Sequence, residues 1–294
     1  MRPFVAVNGM SYSSSWEFII RQFRVNLRIF TGWIQGYWVA NSALAAMVFL
    51  SIFGLDSAWA GPPFVTDDPV PVEFRHWEVY IASEWEHDKH EGTSGTLPHI
   101  EVNYGIITDV QLHMIVPMAY SAPHMGSRQY GIGDIELGVK YRFLHENGWM
   151  PQVGVFPLVE LPTGDSSRGL GEGHVNVFLP VWIQKSWGPW STYGGGGYWF
   201  HPGEGNENYW FAGWLLQRDL SKVVTLGAEI FNTSPKAEGE SDETGFNAGG
   251  FVNLSEVQHI LFSAGRDLKG PNTFSAYLAF QWTFGPKEKN SNQR

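Results

Sequence analysis

Ten histidines and 29 acidic residues supply the material for metal or acid–base chemistry, and the chain has no cysteine. His87 and His90 share a stretch with Asp88 and Glu91, and His99 follows. Their spacing is loose for zinc, which fixes three or four ligands in tetrahedral geometry, so they are expected to be solvated loop residues. The acidic run Glu238, Glu240, Asp242 and Glu243 reads as a soluble loop rather than a calcium cage. Nucleophilic catalysis needs a serine beside a histidine, an orienting acid and an oxyanion site. Ser121 with His124, and His259 with Ser263, supply only a serine and a histidine that could meet by chance, and no G-x-S-x-G elbow occurs. Carboxylate pairs for glycoside hydrolysis, such as Glu160 with Glu229, have no substrate groove to support them. Gly194 to Gly197 sit within a strand pattern, with no Lys-Ser/Thr and no helix following, so they do not cradle phosphate. In a strand such glycines permit bending or the close approach of another segment. No catalytic, cofactor or metal site is expected.

These residues belong to a chain of strands. Its 294 residues include 14 Trp, 20 Phe, 11 Tyr and 34 Gly, while only 16% are charged. From Glu73 onward apolar and polar positions alternate. Phe274, Ala276, Leu278, Phe280, Trp282 and Phe284 form one face, and Ser275, Tyr277, Ala279, Gln281 and Thr283 the other. The same period runs through Ile100–Ile106, Ile135–Phe143 and Val224–Ile230. Twelve strands are expected near 73–85, 97–106, 110–120, 133–144, 150–161, 174–186, 190–201, 208–218, 222–233, 244–254, 258–267 and 272–284. The gaps alternate in length, with tight links such as Ile107-Thr108-Asp109 and long polar ones such as Thr163 to Gly173. A soluble sandwich has no reason to sort its loops by parity. An outer-membrane barrel has one, with tight turns on the periplasmic side and larger loops outside. The fold expected is a single antiparallel transmembrane β-barrel, all-β, of about 12 strands. Trp77, Trp149, Trp187 and Trp190 at one end, and Trp85, Trp199 and Trp210 at the other, are expected to form interfacial girdles.

Residues 1–60 read as a cleavable signal peptide. Arg21, Arg24 and Arg28 precede a short apolar run, Ser42 to Gly54, and Ala58-Trp59-Ala60 supplies the small residues of a cleavage site. The run is too short to cross about 30 Å of hydrocarbon. The length of the leader fits an extended signal or an early start codon, with a retained anchor as the third reading. Its removal takes out four Arg, Glu17 and Asp56, leaving 15 basic and 27 acidic residues. No basic stripe remains to neutralise phosphates, so no nucleic-acid partner is expected. Residues 61–72 are Pro-rich, a periplasmic tail or a short plug inserted into the lumen. The barrel is assigned to 73–284 and a polar tail to 285–294.

Three motifs carry a resemblance. The first is Gly61-Pro62-Pro63-Phe64-Val65-Thr66-Asp67-Asp68-Pro69, followed by Arg75-His76-Trp77-Glu78. The second is Gly131-Ile132-Gly133-Asp134 running into Lys140-Tyr141-Arg142-Phe143. The third is Leu161-Pro162-Thr163-Gly164-Asp165 with Gly169-Leu170-Gly171-Glu172-Gly173 behind it. In this order they resemble the outer-membrane barrel family labelled as the meta-pathway of phenol degradation, over nearly all of the mature chain. The resemblance implies a barrel in a Gram-negative outer membrane, associated with uptake of small, often aromatic or apolar compounds. It transfers no site residues.

The lumen face is the expected functional surface: Glu78, Glu101, Gln111, His113, Glu136, Lys140, Arg142, Glu160, Asn176, Glu229 and Gln281. Carboxylates ringing a narrow pore favour cations. The same side chains, salt-bridged across a small barrel, would instead fill it. The leading function is passive uptake of small solutes. A structural or interaction barrel with a filled lumen comes second, and an outer-membrane hydrolase third. Expected partners are the bilayer with its lipopolysaccharide, a small-molecule solute, and the barrel-assembly machinery during insertion.

Overall fold

The computed structural model describes residues 63–286. The expected leader and its cleavage after Ala60 lie outside the described residues, as does the tail beyond Pro286. Fourteen strands occur among them: β1 (Trp77–Asp88), β2 (Gly92–Ile107), β3 (Val110–Pro123), β4 (Gln129–Ile132), β5 (Ile135–Leu144), β6 (Gln152–Val155), β7 (Leu158–Leu161), β8 (Asn176–Trp187), β9 (Trp190–Phe200), β10 (Tyr209–Asp219), β11 (Val224–Thr233), β12 (Glu243–Asn253), β13 (Gln258–Lys269) and β14 (Phe274–Phe284). β4 and β5 both pair with β3, and β6 and β7 both pair with β5 and β8. Each couple is therefore one strand of the barrel, interrupted at Gly133-Asp134 and at Phe156-Pro157. The result is a twelve-stranded antiparallel sheet. It closes through β1 and β14, in register from Trp77↔Phe284 to His87↔Phe274. Closure removes the sheet edges except along the short β4, which pairs with β3 alone, so elsewhere ladder N–H and C=O groups are met by neighbouring strands, as a membrane-spanning sheet requires.

The side chains are distributed inside out relative to a soluble protein. Ile81, Leu112, Leu137, Val139, Leu179, Val181, Trp214, Leu216, Ile230 and Leu278 are exposed on the outer surface. Glu101, Asn103, Gln111, His113, Lys140, Asn176, Gln184, Gln217, Glu229, Asn247 and Gln281 are buried within. Alternation sends one residue type outward and the other inward, and an apolar exterior suits lipid. Burial on β14 shows which of its two faces is the inner one: Ala279, Gln281 and Thr283 are buried, Leu278 and Trp282 exposed.

The departures from the expected strands have local causes. β2 begins at Gly92 instead of 97, so the first hairpin is tall with a tight tip, and most of the expected loop Asp88 to Gly95 is strand. Gln129–Ile132, expected as loop, pairs with β3 as β4. The interruption at Gly133-Asp134 shifts the alternation by one residue. Tyr130 and Ile132 face outward before it, and Leu137 and Val139 after it. One extra residue of this kind is a bulge, which moves side chains between faces. One girdle assignment is corrected. Trp199 shares the inner face of β9 with Ser191 and Tyr193 and stacks on Phe178, ring centroids 4.6 Å apart. Trp85 keeps the parity of Trp77 and Ile81 on β1, opposite Ala276 in the outward row of Leu278. Trp77, Trp187 and Trp210 do face outward near strand ends.

Candidate functional site

Residues 63–72 run into the lumen. Thr66, Asp68 and Pro69 have no appreciable exposure. Prolines at 63, 69 and 71 have no N–H to satisfy, so the segment can run through the barrel interior without a ladder partner. Where an N–H is present, a wall side chain meets it. Val65 and Thr66 donate their backbone N–H groups to the two oxygens of Glu229, at 2.9 and 2.8 Å. Val72 donates to Gln111 Oε1 at 2.8 Å. Lys140 Nζ binds Asp67 at 2.9 Å and lies 3.7 Å from Asp68. Ser263 donates its hydroxyl to the carbonyl of Pro63. Phe64 packs on Tyr193 and Leu215. Two glycines make room: a Cβ at Gly213 would lie 2.1 Å from Thr66 Oγ1, and one at Gly105 would lie 2.0 Å from the Glu73 carbonyl. The lumen plug is thus the arrangement found, rather than a periplasmic tail.

On one side of this plug the barrel is filled. Phe156, Phe178, Trp182 and Phe211 form a buried cluster, with Leu158, Trp199 and Phe231 packed against it. Edge-to-face and stacked contacts run through it, among them Phe178 with Phe211 and Phe211 with Phe231. On the other side lies a cavity of about 1090 Å³, bounded mainly by β14, β1, β2, β3, β5 and the plug. Its lining carries ten carboxylates, at Asp67, Glu73, Glu78, Glu84, Glu86, Glu101, Glu136, Glu160, Glu172 and Glu256, and one lysine, Lys140.

Inside the cavity the polar groups are linked. His113 Nε2 lies 2.8 Å from Glu136, and its Nδ1 lies 2.7 Å from Asn103 Oδ1 and 3.5 Å from Glu101. Asn103 donates to Glu101 at 2.7 Å, Tyr80 to Glu78 at 2.9 Å, and Asn176 to Glu160 at 2.9 Å. The eleven residues expected on the lumen face all point inward, and they divide by partner. Glu78, Glu101, His113, Glu136 and Glu160 line the cavity. Gln111 and Lys140 line it too and hold the plug, and Glu229 holds the plug from outside the cavity lining. Asn176 stands behind Glu160, and Gln281 is buried between Tyr80 and His259 in the registered row. Arg142 belongs to the turn end of the barrel. It donates to Asp109 at 2.7 and 3.0 Å and to Gln152 at 3.0 Å. Partial burial pushes the Asp109 carboxyl up, but hydrogen bonds from Arg142 and His145 outweigh it and hold the group below the ordinary carboxylate range.

Sequence reasoning missed two features. His99, read as solvated although it falls in the strand expected over 97–106, is buried 3.8 Å from Glu84 in the cavity wall, and His87 lies in β1. Counting back by twos from Asn103 would have placed it there. Asp134 also went unassigned. Its carboxylate accepts the N–H groups of Gly164 and Glu172, at 2.8 and 2.6 Å, and so ties the long loop after β7 to the bulge before β5. The three sequence motifs thereby meet in pairs: Asp134 joins the second to the third, and Lys140 joins the second to the first.

Ser263 is committed to the plug, and among the described residues no three His, Asp or Glu side chains converge to hold a metal.

No family model and no curated protein sequence matches the chain. Solved structures do. An outer membrane channel from Pseudomonas putida F1 is similar over 77% of this chain and 100% of its own, with TM-score 0.59 and 17% identity. The KdgM porin is similar over 70% of this chain and 99% of its own, with TM-score 0.50 and 11% identity. The translocator domain of the autotransporter NalP from Neisseria meningitidis is similar over 72% and 90%, with TM-score 0.50 and 11% identity. At such identities the likeness is one of fold, that of an outer-membrane β-barrel.

Proposed function

We propose that the protein is a passive outer-membrane channel for small solutes, with its path running between the N-terminal plug and the wall of β14, β1, β2, β3 and β5. The observation that carries this reading is the polar cavity of about 1090 Å³ beside the plug. A barrel built only for strength would gain by packing that volume, as it does on the opposite side. Two of the similar structures are a channel and a porin, which favours conduction. The sequence motifs favour membership of the meta-pathway family and hence uptake of small organic compounds. The commitment of Ser263 to Pro63 weighs against a hydrolase built on it. In this reading the leader over 1–60 is removed on export, the long loops face outward, and the aromatic Phe284 closing the last strand serves the assembly machinery.

Single-channel conductance in planar bilayers tests the proposal, comparing the leader-free protein with a variant lacking Gly61–Pro71. The intact protein should give small, steady, cation-preferring steps. The deletion should raise conductance several-fold, because the plug occupies lumen cross-section. Equal conductance in the two proteins would reject the path beside the plug.

A further inference from the structure

We propose that His113 stands in the lumen as a fixed imidazolium, and that its positive charge sets how strongly the path prefers cations. The protonation state stands on hydrogen-bond geometry, while its effect on selectivity rests on the channel reading. His113, Asn103 and Glu101 are buried, and all three line the cavity. Glu101 accepts a hydrogen bond from Asn103 Nδ2 at 2.7 Å, which turns Asn103 Oδ1 toward His113 Nδ1, also at 2.7 Å. The reversed amide would set its oxygen against the Glu101 carboxylate, acceptor against acceptor. Nδ1 therefore faces an oxygen that can only accept, and it carries a proton. Nε2 lies 2.8 Å from Glu136 Oε1, and an ionised carboxylate has no proton to give. With both nitrogens donating, the ring is cationic.

A neutral ring would need the proton on Glu136 instead. Glu101, 3.5 Å from Nδ1, would then be a buried carboxylate without a counter-charge, because Lys140 is committed to Asp67 and Asp68. An unpaired buried charge is costly, so the proton belongs on the imidazole. The surroundings keep the ring in this pose. Gly138 stands opposite His113 on β5, and Phe156 and Leu158 occupy the space that a Cβ there would take. Phe156 packs edge-to-face with the imidazole, centroids 5.1 Å apart. Beyond the immediate partners, the titratable groups on this wall are Glu78, across from Asn103 on β1, Glu160, across from Glu136 on β7, and Lys140 on β5. Carboxylates outnumber cations among them, so the imidazolium tempers the preference for cations without reversing it.

The test uses the full mature chain with two variants, H113Q, which removes the charge, and H113K, which keeps it. Both are checked for refolding by heat-modifiable migration. Imidazole nitrogen NMR shifts of the isotope-labelled, detergent-solubilised barrel are assigned to His113 by their loss in either variant. They should report a proton on each ring nitrogen at neutral pH; a bare nitrogen would overturn the imidazolium. In planar bilayers under a KCl gradient, H113Q should raise the cation-to-anion permeability ratio at least about twofold, while H113K stays near wild type. An equal shift in both variants would reduce His113 to a packing role, and no shift in H113Q would remove it from selectivity; either result overturns the proposal. If the wild-type barrel does not conduct, the channel reading and the selectivity claim fail together, and the nitrogen shifts still decide the imidazolium.

Discussion

The two sides of the lumen are made from the same inward-facing positions of neighbouring strands, yet they do different work. Around β8 to β11 those positions carry Phe178, Trp182, Phe211 and Phe231, which fill the space between plug and wall. Around β1 to β5 they carry Glu78, Glu101, His113 and Glu136, which leave it open. The filled side stabilises by burying aromatic area, while the open side gives up that gain and takes on mutual repulsion. A molecule that retains the second arrangement beside the first has a use for the water it admits. The plug marks the boundary, with Phe64 turned to the apolar wall and Asp67 to Lys140.

Substitutions can break or sharpen this contrast. Trp182→Ala removes the largest side chain of the filled cluster, one that is 2% exposed. A loss of about 3–5 kcal/mol is expected in denaturant unfolding from micelles. Conductance should stay near wild type, because the path lies elsewhere. A rise matching that of the plug deletion would show that the filled side also conducts.

Glu229→Leu takes away the acceptor of two plug N–H groups and of Asn247. Docking of the plug should weaken by about 2–4 kcal/mol, the loss of two charge-assisted hydrogen bonds. Conductance should then approach that of the Gly61–Pro71 deletion. Unchanged currents and unchanged protease resistance of residues 63–72 would mean that Phe64 and Lys140 suffice to hold it.

Glu160→Gln runs the opposite way. Relief of the direct pairing with Glu136 should raise stability by up to about 1 kcal/mol while lowering cation preference, read from the reversal potential in a salt gradient. A stability loss instead would show that Glu160 is a structural partner of Asn176 first.

The smallest effect lies at the turn end, outside both halves. Asp109 has a folded pKa below its unfolded value of about 3.9, so its latch to Arg142 contributes fully above that value. The contribution fades as the pH falls through the folded value. Comparing wild type with Asp109→Asn in unfolding experiments should show a gap of about 1 kcal/mol at pH 7 that narrows once the pH falls below the unfolded value and closes below the folded one. A gap independent of pH would assign the latch to hydrogen bonding of the neutral form.

Much of this architecture is legible along the chain because a strand's period is two. Alternation from Ile135 to Phe143 and from Phe274 to Phe284 fixes which side chains share a face. Loop parity then argues for a barrel over a sandwich. Where one residue is inserted the rule fails locally. The bulge at Gly133-Asp134 hid β4, and reading Trp199 by position along the strand, without parity, put it in the wrong layer. Interiors are harder still, since inward-facing describes Glu229 and Glu136 equally well. One grips the plug and the other faces the cavity, a difference set by what lies across the lumen.

By itself the sequence determined the strand count, the closed antiparallel class and the inward set of polar residues, because these follow from local periodicity and turn chemistry. Only the tertiary structure decided that Pro63–Val72 enters the lumen, that Lys140, Gln111 and Glu229 receive it, and that one side is packed while the other is open. Those outcomes depend on contacts between residues as far apart as Pro63 and Ser263. Such contacts arise from how twelve strands curve and close, and no local pattern encodes that.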